Sequence, residues 1–137
     1  MAEKQTVLFL CTGNSCRSQM AEAIVNAELG ETWAAYSAGT RPAGYTHPKA
    51  LAVLTEIGID WQGQSQHTDA FIGQAFDLVV TVCDSAAEDC PAWLGAGRKV
   101  HLSFPDPAAA QGSDAEVLAV FREVRDDIRR RVLALLR

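Results

Sequence analysis

The sequence predicts an α/β fold with a parallel sheet covered on both faces. Short apolar runs read as buried strands, clearest at residues 77–83 and also at 6–10. Between them lie segments with apolar residues at helical spacing. Strands that alternate with amphipathic helices in this way pair in parallel and are covered by those helices.

In chain order, residues 6–10 carry β-branched and aromatic side chains and form the first strand. Residues 18–29 place Met20, Ala23, Ile24 and Ala27 on one helical face, and Gly30 is the stop. Residues 33–37 are a second strand, ended by Ala38-Gly39. Pro48 opens a helix through about Ile57, closed by Gly58. A short helix is expected at 68–74, a strand at 77–83 and a fourth strand at 98–102. Residues 103–112 are a loop carrying Pro105-Asp106-Pro107. Ser113, with Glu116 three residues on, forms a capping box for the last helix. Its apolar stripe is Val117, Val120, Phe121, Val124, Ile128, Val132 and Leu135.

The 137 residues fit one domain, 1–137, with no repeat or linker. The 48% hydrophobic and 21% charged composition is that of a soluble globular chain. A net charge of −5 argues against a general affinity for nucleic acid or an anionic membrane. No apolar run approaches the roughly 20 residues of a spanning helix, and no export signal is visible. The expected compartment is the cytoplasm, where four cysteines are reduced at rest and more apt for catalysis than for stapling. No C-x-x-C pair exists and the three histidines are scattered, so zinc is not expected.

Open parallel sheets bind ligands beyond the carboxyl ends of their strands. Cys11 directly follows the first strand and Cys83 ends the 77–83 strand. Both thiols are therefore expected on one edge of the sheet. Cys11-Thr12-Gly13-Asn14-Ser15-Cys16-Arg17-Ser18 joins the first strand to a helix N-terminus. Such an end offers unpaired N–H groups and partial positive charge, an anion nest. Gly13 and Asn14 permit unusual backbone conformations. Arg17 grips two oxygens of a tetrahedral anion, the positive surroundings favour the Cys11 thiolate, and Ser18 orients it.

The run Cys-Thr-Gly-Asn-Ser-Cys-Arg-Ser-Gln-Met-Ala-Glu resembles the low-molecular-weight tyrosine phosphatase superfamily, and within it the thioredoxin-coupled arsenate reductases. The resemblance extends through Tyr36-Ser-Ala-Gly39, His47-Pro-Lys-Ala50, Asp77 to Cys83, Cys90-Pro91, Asp106-Pro107-Ala108 and Phe121 to Asp126. It implies a four-stranded parallel sheet flanked by helices on both faces, in flavodoxin-like order. It also implies a monomer whose partners are arsenate, phosphate as a competing oxyanion, and thioredoxin. The implied chemistry is a relay. Cys11 attacks arsenate, Cys83 attacks Cys11 and releases arsenite, and Cys90 attacks Cys83. A Cys83–Cys90 disulfide remains for thioredoxin. Two electrons come from the thiols, so no tightly bound cofactor is expected.

The resemblance gives Asp106 either of two roles: general acid, as in the phosphatases, or help in activating Cys83. The alternative activity is hydrolysis of phosphate monoesters through a Cys11 phospho-intermediate. Against it, Asp106-Pro107-Ala108 lacks aromatic residues to stack on an aryl substrate. Asn14, Glu22 and Ser37 match positions that hold potassium in some relatives, although His67 stands near where those relatives add an acid. Cys16 is read as a small residue facing the core. His47 is read as a helix start, and His101 and Trp93 as packing residues. The arginines between 122 and 131 are read as a solvated face with pairs along one helix.

Overall fold

The computed structural model describes residues 4–84 and 97–137. Its elements are β1 (Gln5–Cys11), α1 (Arg17–Glu28), β2 (Trp33–Gly39), α2 (Pro48–Glu56), β3 (Leu78–Thr81), β4 (Arg98–His101) and α3 (Asp114–Leu136). Short 3-10 helices occupy Thr68–Phe71 and Pro107–Ala109. The four strands form one parallel sheet in the order β2-β1-β3-β4. After β1 the chain moves out to β2. It then returns to the other side of β1 for β3, so the order reverses between β1 and β3. That reversal is where an open α/β sheet has its ligand crevice.

β1 is central, and its residues from Val7 to Cys11 are all buried. Side chains alternate along a strand, and Val7 and Phe9 accordingly enter the large core with Met20, Ile24, Val53, Leu54, Phe121 and Ile128. Leu8 and Leu10 face the other way and pack with Phe71, Phe76 and Val79. The long helices α1, α2 and α3 all contribute to the first layer. The short Thr68–Phe71 helix serves the second through Phe71. Tyr36 caps this smaller core, its ring edge-on to Phe71 and Phe76 at 5.9 and 5.8 Å.

The capping box expected at Ser113 is present, with both the Ser113 and Glu116 side chains engaged. The stripe of α3 is buried at Phe121, Val124, Ile128 and Val132, and half-buried at Val117, Val120 and Leu135. His47 caps α2, its Nδ1 accepting from the Lys49 N–H at 3.1 Å.

Three readings need correction. The 77–83 strand is regular only over Leu78–Thr81, because Asp77 turns its side chain back to accept from the Thr6 N–H at 2.7 Å. Pairing nonetheless continues past the strand, with Val82 N–H donating to the Leu10 carbonyl at 2.9 Å. The arginines of α3 are not simply a solvated face. Arg122 and Arg125 both bind Glu56 of α2, and Arg129 binds Glu28 of α1. Arg131 and Arg130 do pair with Asp127 along the helix. The reason is layering: three helices share one side of the sheet, so their flanks meet. His101 is exposed and hydrogen-bonded to Thr81 Oγ1 at 2.6 Å, so it is not a packing residue. Trp93 lies outside the described residues.

Candidate active site

The loop between β1 and α1 is shaped by where its carbonyls go. Thr12 O accepts from Arg41 N–H at 2.9 Å, Gly13 O from Ala43 N–H at 2.9 Å, and Ser15 O from His47 N–H at 3.0 Å. Asn14 O accepts from the Gln19 side chain at 3.1 Å. In a trans peptide the N–H points opposite to the C=O. With four successive carbonyls tied outward, the N–H groups of Gly13, Asn14, Ser15 and Cys16 turn to the inner side of the loop. The start of α1 adds to them, since its N-cap Cys16 makes no side-chain capping bond. This is an anion nest made of backbone.

The left-handed residue of this loop is Asn14, at φ 45°. Gly13 is not in that region, which corrects the expectation for it. A Cβ there would meet only Ser15 Oγ at 3.9 Å. Asn14 tolerates the conformation because its side chain is hydrogen-bonded on both ends. Its Oδ1 accepts from Gln66 N–H at 2.7 Å, and its Nδ2 donates to Ser18 Oγ at 2.8 Å. The glycine that lets β2 back this loop is Gly39, paired with Cys11 across the sheet. A Cβ on it would stand 2.4 Å from Thr12 O and 2.7 Å from Cys11 O.

A pocket of about 210 Å³ opens on this loop, lined by Cys11, Thr12, Gly13, Ser15, Cys16, Arg17, Asp106 and Ala108. Cys11 Sγ lies 2.9 Å from Ser18 Oγ in buried surroundings. Arg17 is 4% exposed, donates to Phe104 O at 3.2 Å, and has an Nη 3.9 Å from Asp106 Oδ2. The last helix steadies this side of the pocket. Arg131 donates to Ser103 O at 3.0 Å and lies over the Phe104 ring at 4.5 Å. Asp106 also caps its own short helix, accepting from Ala108 N–H at 3.0 Å. An anion entering this pocket would meet a guanidinium, a row of N–H groups and a sulfur nucleophile, which is the equipment for attack on a tetrahedral oxyanion.

Cys16 is buried in the core, as read, and also reaches the pocket wall. Burial outweighs a hydrogen bond from Ser15 and pushes its thiol up to about 12, which makes it a poor nucleophile. Cys83 sits just past the end of β3, fully buried in the same core as Cys11. It is disulfide-bonded, whereas Cys11 and Cys16 are free thiols. Cys90 lies outside the described residues.

Asn14, Glu22 and Ser37, the expected potassium ligands, are all hydrogen-bonded within the protein. Ser37 spends its hydroxyl hydrogen on Glu22 Oε1, and Asn14 Oδ1 accepts from both Gln66 and Gln19. Burial pushes the Glu22 carboxyl up to about 7, with the Ser37 hydrogen bond opposing. His67 caps the Thr68–Phe71 helix through Nδ1, which accepts from Asp69 N–H at 3.0 Å. His47, its ring tilted against Phe121 at 4.8 Å, is held below the ordinary histidine range, first by burial and then by Lys49.

Sequence reasoning missed Gln19, Trp61 and the segment from Arg41 to His47, which brace the loop from outside. The only signal was a glutamine on the apolar side of α1, and its meaning depends on what it touches.

The comparisons agree with this geometry. The low molecular weight phosphotyrosine protein phosphatase family model matches residues 6–137. A protein named arsenate reductase from Halalkalibacterium halodurans is 49% identical over 130 residues, covering 94% of this chain and 93% of its own. One of the same name from Bacillus subtilis is 45% identical over 131 residues, covering 95% and 94%. The crystal structure of an arsenate reductase from Archaeoglobus fulgidus superposes with a TM-score of 0.73 at 28% identity, covering 92% of this chain and 98% of that one. By its fold, its oxyanion loop and these relatives, the chain belongs to the low molecular weight phosphotyrosine protein phosphatase family, among the members named arsenate reductases.

Proposed function

We propose that this protein reduces arsenate to arsenite by a three-thiol relay and is recharged by thioredoxin. The observation that carries the reading is that Cys11 ends β1 and Cys83 lies just past the end of β3, adjacent parallel strands on either side of the point where strand order reverses. The Cys11 thiolate attacks arsenic(V) and expels a hydroxyl, which takes a proton from solvent and leaves as water, giving a Cys11–arsenic bond. Cys83 attacks Cys11 Sγ. The pair of electrons in the sulfur–arsenic bond goes to arsenic, which leaves as arsenite, and a Cys11–Cys83 disulfide remains. Cys90 attacks Cys83 and releases Cys11, leaving a Cys83–Cys90 disulfide. A dithiol protein of the thioredoxin kind then supplies two electrons and two protons. Names borne by the full-length relatives support the substrate, and Cys83 standing in a disulfide supports its redox role.

A second reading draws on the pocket itself. Arg17 and Asp106 share it with Cys11, which is what hydrolysis of a phosphate monoester requires: a nucleophile, an anion clamp and an acid for the leaving group. One experiment separates the two. Thiols are counted by mass after a single arsenate turnover without reductant. The relay consumes two thiols in a Cys83–Cys90 disulfide. Hydrolysis consumes none. A Cys83→Ser variant should lose arsenate reduction and keep slow aryl phosphate hydrolysis, whereas Cys11→Ser loses both. Undiminished thioredoxin-dependent turnover by Cys90→Ser would overturn the relay.

A further inference from the structure

We infer that Trp61 and Gln19 are positioning residues that tune the Cys11 nucleophile from outside the oxyanion pocket. The inference rests on the reading of Cys11 as the nucleophile and holds for either oxyanion. Gln19 is fully buried on α1. Its Nε2 faces three acceptors: Gln64 O at 2.9 Å, Asn14 O at 3.1 Å and Asn14 Oδ1 at 3.3 Å. Its Oε1 accepts from the Trp61 indole N–H at 2.9 Å. The opposite orientation of this amide would set oxygen against three oxygens and N–H against N–H, so the network settles it.

Followed inward, every bond points the same way. The indole N–H donates to the Gln19 carbonyl, and the Gln19 amide donates to the Asn14 side-chain carbonyl. The Asn14 amide donates to Ser18 Oγ at 2.8 Å. Ser18 Oγ, an acceptor there, stands 2.9 Å from Cys11 Sγ, and its hydroxyl becomes the donor of that contact when Cys11 is a thiolate. Aligned donors polarise one another in a low-dielectric interior. A thiolate sulfur has no hydrogen to donate and accepts more strongly than a thiol does. The chain therefore favours the ionised nucleophile and holds Asn14 in its left-handed conformation.

A second observation shows that the indole's place is built in. A Cβ on Gly63 would stand 2.4 Å from Trp61 Cε2, Cζ2 and Nε1. Only a glycine at 63 lets this rigid ring fold back against its own backbone and present its N–H to Gln19. Gly63 is itself anchored, its carbonyl accepting from Thr46 Oγ1 at 3.0 Å.

The test is the rate of Cys11 alkylation by iodoacetamide, read by peptide mass on the full chain, for wild type, Trp61→Phe and Gly63→Ala. Trp61→Phe keeps an aromatic ring and removes the N–H. Gly63→Ala keeps the N–H and displaces it. Both variants should alkylate roughly threefold more slowly at neutral pH, the scale of one weakened hydrogen bond. Both should match wild type at alkaline pH, where ionisation of Cys11 no longer depends on the chain of donors. Equal rates at neutral pH would overturn the inference. So would an equal loss at both pH values, which signals lost access or packing. If Trp61→Phe fails to fold, Gly63→Ala decides alone. Failure of wild-type Cys11 to alkylate ahead of Cys16 would instead sink the assignment of the nucleophile.

Discussion

Ser18 Oγ stands 2.9 Å from Cys11 Sγ, and both residues are buried. The contact joins the end of a central strand to the first turn of the helix that follows it. Ser18→Ala removes the donor nearest the sulfur and leaves Asn14 Nδ2 without its acceptor. A hydrogen bond to a charged group is worth about 1.5–3 kcal/mol. Alkylation of Cys11 at neutral pH should therefore fall by at least about tenfold, with catalytic turnover falling alongside. Stopped-flow or mass-based alkylation against pH checks it.

Arg17→Lys keeps the positive charge and loses the planar fork. The buried guanidinium is oriented by Phe104 O and Asp106. An ammonium reaching the same space cannot hold two oxygens in one plane. Inhibition by phosphate should weaken by about tenfold or more, the scale of one lost charge-assisted hydrogen bond. Isothermal titration with phosphate measures it, and unchanged affinity would remove Arg17 from anion binding.

Gly39→Ala probes the backing of the loop. The new methyl would stand 2.4 Å from Thr12 O, whose carbonyl is one of those that turn the nest inward. Overpacking of this kind costs about 1–3 kcal/mol. Both urea stability and phosphate affinity should fall. A variant with wild-type stability would show that the loop is not held against β2.

Glu22 gives a pH dependence with a definite sign. In the folded protein burial raises its carboxyl from 4.5 to about 7. Within that interval the folded state holds a proton the unfolded chain has lost. The side chain therefore favours folding below 4.5, and that contribution is lost as pH rises to about 7. Glu22→Gln should stabilise the protein by about 3 kcal/mol on the alkaline side and by little on the acid side. Urea midpoints at the two extremes measure it. Exchange of sodium for potassium should leave the wild-type midpoint unchanged, since Asn14 Oδ1 already accepts from Gln66 and Gln19 and Glu22 Oε1 from the Ser37 hydroxyl.

The strands and helices were legible because burial leaves a periodic trace. Residues 7–10 and 78–80 are apolar since both sheet faces are covered, and α3 shows its stripe because one side faces the core. The strand–loop–helix context also made Cys11 and Arg17 legible, since an anion nest at a helix start is a local device. His47 and the Ser113 capping box were local for the same reason.

What the chain could not reveal on its own concerns groups far apart in sequence. The amino-acid order determined which residues form strands, helices and the loop that begins at Cys11. Tertiary packing decided that Asn14, not Gly13, takes the left-handed turn, because Gln66 and Gln19 hold its side chain. It decided that Arg125 crosses to Glu56 and that an indole at Trp61 reaches the amide of Gln19. Periodicity records only whether a side chain is covered. A hydrogen bond depends on direction and distance between particular atoms, and those are set when separate segments close on one another.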